Sequence, residues 1–414
     1  MAITNLRDYQ TDLSDKAAQL LKTYKIAYLA MEVRTGKTIT ALAAAYKYGA
    51  KTILFVTKKK AITDIIEQAK QMGFDMEIYV TNYEQLKYVE EKFDVVIVDE
   101  AHSISAYPKP SMRAYDIKRI AKVTAIIYLS GTPTPESFSQ IFNQFWVSDY
   151  SPFKEYKSFY RWADDYVNVK KKYIAGNAHN DYKDANELLI REKTQHLFLT
   201  FTQQQAGFMQ MVQENIYYVK MQDSTYKFAD KLIKDKIVTN KDGESVLAET
   251  GVKMMQKLHQ IYSGTIIIDQ PVRKAKVFDN TKAEFIREKF SHLKKIAVFY
   301  KFSAEMASLL DVFGKQICLD PEDFAKKDSG VFISQIVSGR EGINLSSAEA
   351  LIFLNIDFSA TSYWQARARI QTKDREEDAQ IYWIFAYNGI EDKIYKAVSD
   401  KKDYTLNYFK QDYL

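Results

Sequence analysis

The stretch K-I-A-Y-L-A-M-E-V-R-T-G-K-T, Lys25 to Thr38, runs from an apolar segment into a loop that ends in glycine, lysine and threonine. The apolar run predicts a buried strand, and the alanine-rich T-I-T-A-L-A-A-A-Y-K-Y that follows (38–48) predicts a helix. A strand leading through Gly-Lys-Thr into a helix is the context required by the phosphate-loop pattern G-x-x-x-x-G-K-[ST]. Gly36, Lys37 and Thr38 are in place, while Met31 stands where the first glycine belongs. Backbone N–H groups at a helix N-terminus bind phosphate, and the glycine before the lysine lets the backbone approach closely. Gly36 is therefore the position least able to accept a side chain. The remaining loop positions, Arg34 and Thr35 among them, need only the right backbone shape.

A second stretch resolves the missing glycine. V-V-I-V-D-E-A-H, Val95 to His102, is an apolar strand ending in two adjacent carboxylates. Such a strand end suits a magnesium-binding Asp99 and a neighbouring Glu100 that orients an attacking water. Ligands of parallel sheets bind at strand carboxyl ends, so both motifs are expected to face one crevice. The loop is then expected to bind ATP with Mg²⁺, Lys37 reaching the β- and γ-phosphates and Thr38 giving its hydroxyl to the ion.

Outward from these motifs the same rhythm repeats. Apolar runs at 25–30, 52–56, 77–80, 93–100 and 125–130 alternate with amphipathic stretches such as K-A-I-T-D-I-I-E-Q-A-K-Q-M (60–72). A second series, at 295–300, 315–319, 331–336, 350–355 and 380–386, flanks helical segments such as 303–313. Short β-branched runs buried on both faces predict parallel sheets covered by helices. The expected fold class is α/β with two lobes, 1–150 and 276–414, and a charge-rich, mostly helical middle segment at 151–275. That segment carries a turn at N-K-D-G-E (240–244), and the chain from Gly389 reads as a lysine-studded helix.

Composition narrows the function class. A chain of 414 residues is too long for one typical core, which supports two domains. A net charge of +5 is compatible with a nucleic-acid partner without requiring one. The single cysteine, Cys318, excludes an internal disulfide and any multi-cysteine metal site, and its place in K-Q-I-C-L-D predicts a buried strand residue. The five histidines show no ligand pairing at helical spacing. The N-terminal stretch lacks an apolar signal core and no apolar run reaches membrane-spanning length, so a cytoplasmic chain with no membrane partner is expected.

With these motifs in order, the sequence resembles helicase superfamily two, and within it the Swi/Snf-type ATPases and their short phage relatives. D-E-A-H (99–102) resembles motif II, and S-G-T-P, with Ser130, Gly131 and Thr132, resembles the motif III that links hydrolysis to lobe movement. L-R-D-Y-Q is similar to the opening of Swi/Snf-type motors; the resemblance implies that Arg7 and Gln10 belong to the nucleotide site, with Gln10 on adenine. F-V-T-K-K-K (55–60) and T-N-Y-E (81–84) are similar to motifs Ia and Ib, implying backbone contacts from Lys58, Lys59, Lys60, Thr81 and Asn82. V-F-Y-K-F (298–302) sits where motif IV belongs. E-G-I-N-L (341–345) resembles motif V, implying roles for Gly342 at the nucleotide and Asn344 at nucleic acid, and Trp364 to Arg375 resembles motif VI.

The resemblance implies two RecA-like lobes, and a motor that couples ATP hydrolysis to movement along duplex or branched DNA, in host cytoplasm if phage-encoded and working as a monomer. Motif VI also holds a departure: Gln365 and Arg369 match, but the position of the second arginine is Thr372. Arg369 is the first choice for the arginine acting on the γ-phosphate, with Lys373, Arg375 and Arg367 as substitutes for the missing one. Lys170, Lys171 and Lys172 offer further backbone contacts. The alternatives are an RNA helicase and a degenerate ATP-binding, DNA-binding module with weak hydrolysis.

Overall fold

The computed structural model describes residues 6–174, 177–207, 212–339, 343, 345–370 and 378–400. The chain divides into two compact units, Met1–Phe208 and Met209–Leu414. Each is built on a six-stranded sheet whose paired strands are all parallel.

In the first unit the strands lie in the order Glu77–Asn82, Thr52–Thr57, Val95–Asp99, Ala125–Leu129, Ile26–Met31, Phe198–Phe201. Side chains of a strand alternate between faces. Ile26, Tyr28, Leu54, Val56, Val96, Val98, Ile126 and Tyr128 join one apolar cluster, and Ala27, Leu29, Ile53, Phe55, Val95, Ile97 and Ile127 join another. Both faces are thus covered, as the continuous apolar runs predicted. The helix Lys37–Tyr48 presents buried alanines, which lets the helix Asp8–Tyr24 lie close against it. Because the strands are parallel, all their carboxyl ends open onto the same edge. That edge carries the loop after Met31, the lysines after Thr57, Asn82, the acids after Val98, Ser130 after Leu129, and the turn after Phe201.

The second unit orders its strands Ile317–Cys318, Gly330–Gln335, Lys295–Tyr300, Ala350–Phe353, Ala379–Ala386, Val212–Val219. Cys318 is a free, buried strand residue. The middle stretch 151–275 contributes the helices Phe159–Tyr166, Glu187–Thr194, Asp223–Asp235 and Gly251–Ile261. It also supplies an edge strand to each sheet, Phe198–Phe201 and Val212–Val219, and the hairpin that turns at 240–244.

The second unit buries an ion pair. Lys282 and Glu391, 1% and 0% exposed at their side chains, pair at 2.5 Å and tie the helix Thr281–Lys289 to the helix Glu391–Ser399. Two such charges tolerate burial only together, because each alone keeps its full desolvation cost. Glu214, on the edge strand, accepts from Tyr363 Oη at 2.9 Å, Trp383 Nε1 at 2.9 Å and Arg367 Nε. Among the described residues no helix is long and apolar enough to cross a membrane.

Candidate nucleotide site

Met31 turns out to be the last residue of its strand, fully buried and in register with Phe201. The position of the absent glycine therefore belongs to the sheet, and the loop proper begins at Glu32. Arg34 and Gly36 both adopt left-handed backbone, with φ of 62° and 84°. A non-glycine residue accepts that conformation at a cost, whereas glycine does not. Gly36 is constrained a second way: a Cβ there would collide with Nε2 of Gln10. Gln10 itself is buried, and its Oε1 accepts from the backbone N–H of Arg7 at 3.0 Å. Gly36 is thus set by packing against Gln10 as well as by the close approach expected of a phosphate.

Lys37 lies across this loop, its Nζ donating to the carbonyls of Met31 at 2.9 Å and Glu32 at 3.2 Å. It also stands near Gly131, where a Cβ would approach the ammonium to 3.7 Å. Thr38 opens the helix, half-buried, and Thr35 Oγ1 donates to Glu32 O at 2.7 Å.

Asp99 ends its strand with Oδ2 accepting from Thr57 Oγ1 at 2.7 Å and Oδ1 from the N–H of Glu100 at 3.0 Å. Burial, and next the charge of Glu100, push its carboxyl up to about 6, against the pull of Thr57 and Lys37. Tyr83 Oη donates to the carbonyl of Asp99, which fixes the strand end. Glu100 takes a left-handed backbone, φ 49°, and its Oε2 lies 3.4 Å from His102 Nδ1. The same Nδ1 lies 3.2 Å from Ser130 Oγ, which accepts from the N–H of Thr132 at 3.1 Å. Glu100 and the S-G-T stretch thus meet at one imidazole.

The structure brings Gln10, Gly36, Lys37, Asp99, Glu100 and Ser130–Thr132 into this one neighbourhood of the first unit. Thr57, Tyr83, His102 and Ser130 support it; Thr57 and Tyr83 lie in the stretches 55–60 and 81–84 read as similar to motifs Ia and Ib, but nothing in those stretches pointed to their hydrogen bonds with Asp99. Along the same edge, Lys59 and Lys60 are exposed and Lys58 is half-buried. Thr81 is half-buried, whereas the side chain of Asn82 is buried and accepts from the N–H groups of Glu84 and Gln85 at 3.0 and 3.1 Å. Lys171 and Lys172 are exposed on the strand Lys170–Ile174, and Lys170 pairs with Asp184 at 2.8 Å.

In the second unit Gln365 is buried on the helix Ala360–Arg367, and its Oε1 has no hydrogen-bond partner among the described residues. Arg369 follows that helix, and its carbonyl accepts from the N–H of Leu345 at 3.2 Å, tying the two stretches read as similar to motifs VI and V. Arg367 is committed to Glu214. Gly342, Asn344, Thr372, Lys373 and Arg375 lie outside the described residues.

The chain is 31% identical over 93 residues to the DNA repair protein rhp54 of Schizosaccharomyces pombe, covering 22% of this chain and 11% of that protein. It is 21% identical over 351 residues to the uncharacterized ATP-dependent helicase MG018 of Mycoplasma genitalium, covering 78% of this chain and 32% of that protein. The chain thus spans no more than about a third of these relatives' lengths. Among solved structures, it superposes on the Sulfolobus solfataricus SWI2/SNF2 ATPase core in complex with dsDNA with a TM-score of 0.44 and 17% identity, over 99% of this chain and 93% of that one. The family described as the SNF2-related domain matches residues 28–266. That match takes in more than half of the chain, from the phosphate-loop strand into the second unit, and the protein belongs to the SNF2-related domain family.

Proposed function

We propose that the chain is an ATP-driven DNA motor that hydrolyses ATP at the loop of its first unit and uses the cycle to move along duplex or branched DNA. The observation that carries this reading is the convergence at one sheet edge of Lys37, the Asp99–Glu100 pair and, through His102, the Ser130–Thr132 stretch. A lysine beside a helix N-terminus holds a triphosphate. Two adjacent carboxylates suit one divalent ion and one water. Asp99 and Thr38 are the groups that would hold Mg²⁺, and the raised carboxyl of Asp99 fits a site that gains from a cation. When bound, the ion neutralises charge on the phosphates. Glu100 takes the proton of the attacking water, and Arg369 is the arginine we assign to the γ-phosphate.

Lysines 58–60 supply charge for a phosphate backbone, which specifies no sequence. DNA rather than RNA is favoured by the SNF2-related family match and by a relative whose name is a DNA repair protein. Phosphate release measured with duplex DNA, single-stranded DNA and RNA tests the reading. Duplex DNA is expected to stimulate most; stimulation by RNA alone would favour the RNA helicase, and none by any of the three would reject the motor.

The state of Asp99 adds a pH dependence. A carboxyl raised to about 6 holds its proton below that pH, and proton and Mg²⁺ compete for the same oxygens. Magnesium-dependent nucleotide binding is therefore expected to weaken as pH falls through about 6 and to stay level from 7 to 8. Titrating Mg²⁺ against a fluorescent nucleotide at pH 5.5 and 7.5 checks this; equal midpoints would contradict it.

A further inference from the structure

The loop Glu32–Gly36 is gripped from outside by a segment some 170 residues away in sequence, a contact that the catalytic assignment does not use. Just past the strand Phe198–Phe201, Gln203 Nε2 donates to the carbonyl of Val33 at 3.0 Å. The backbone N–H of Gln203 donates to Glu32 Oε2 at 2.7 Å, and the N–H of Glu32 donates to the carbonyl of Phe201 at 2.9 Å. On the other flank Tyr9, stacked on Phe201 with ring centroids 4.5 Å apart, donates its hydroxyl to the carbonyl of Thr35 at 3.0 Å.

A trans peptide unit is planar and carries its C=O and N–H on opposite sides. Holding the carbonyl of Val33 toward Gln203 turns the N–H of Arg34 the opposite way. Holding the carbonyl of Thr35 toward Tyr9 does the same for the N–H of Gly36. Successive inward N–H groups in such a turn make an anion-binding concavity. A loop whose first glycine position has been absorbed into the strand has less intrinsic freedom to form one. We infer that Gln203 is a positioning residue for the phosphate loop, setting the direction of its N–H groups by capturing the carbonyl of Val33.

The inference rests on the proposed nucleotide site, and the experiment separates the two. Gln203→Met keeps length and removes the donor; Gln203→Lys restores a donor. Gln203 is half-buried on a turn, so neither change opens a cavity in the core. In Gln203→Met, the Kd of a fluorescent ADP and the KM for ATP are expected to rise about fivefold to tenfold, the size of one lost hydrogen bond. The kcat should move less than twofold, because the contact acts equally in ground and transition states. Gln203→Lys should recover most of the affinity, and Tyr9→Phe should show the same KM-weighted loss. Wild-type affinity in Gln203→Met, or a loss that Gln203→Lys does not restore, would overturn the inference. Lys37→Ala serves as the control: if it binds ADP and ATP as the wild type does, the nucleotide site itself is wrong, whatever the Gln203 variants do.

Discussion

Replacing Glu100 by glutamine is expected to slow ATP turnover by about 100- to 10,000-fold while nucleotide binding persists. The amide matches the carboxylate in shape but cannot accept a proton from water. Glu100 occupies a left-handed backbone position at the strand end, a conformation that a side chain of its kind adopts only when its surroundings impose it. There its Oε2 faces His102, which in turn faces Ser130. The substitution leaves Asp99, Thr57 and Tyr83 in place, so the strand end keeps its shape. Single-turnover phosphate release, read beside fluorescent-nucleotide binding, separates chemistry from affinity. A Glu100→Gln protein turning over at the wild-type rate would mean that another group activates the water.

Lys37→Ala should cost about 100- to 1,000-fold in turnover, the scale of removing one preorganised donor from a developing charge. Here, unlike Glu100→Gln, affinity should fall as well, because the ammonium serves the bound phosphates in both ground and transition states. The lysine now donates to the carbonyls of Met31 and Glu32, partners that it would exchange for phosphate oxygens in the nucleotide site proposed above. The fold should survive, since the side chain is half-buried at the first position of its helix rather than in either apolar cluster. Steady-state kinetics with circular dichroism as the folding control reads both halves of this expectation. Unchanged turnover would remove Lys37 from the site.

Much of this architecture was legible before any coordinate. Central strands such as Val95–Asp99 are covered on both faces and read as unbroken apolar runs. The two edge strands that the middle stretch supplies escaped notice for the converse reason. Phe198–Phe201 is only partly buried, and Val212–Val219 interrupts its apolar residues with Gln213, Glu214 and Asn215. The candidate site groups could be picked out because they are local: Gly36, Lys37 and Thr38 are consecutive, as are Asp99 and Glu100. Their supports could not. Thr57 meets Asp99 across neighbouring strands, and Gln203 meets Val33 only because two distant segments end at one sheet edge. No spacing rule links such residues, since the sheet order that joins them is a property of the whole domain.

The place of Val212–Val219 has a consequence for how the protein is made. It is the first strand of its sheet to leave the ribosome, yet its neighbour, Ala379–Ala386, follows 167 residues later (379 − 212). Closing so distant a parallel pair is slow, and a waiting strand offers its edges to other nascent chains. Glu214 counters this: a carboxylate in mid-strand discourages pairing with strangers. Once Tyr363, Arg367 and Trp383 have been synthesised, the same carboxylate becomes the acceptor on which all three close. One acidic residue that would disfavour stray pairing thus joins three distant side chains in the finished unit.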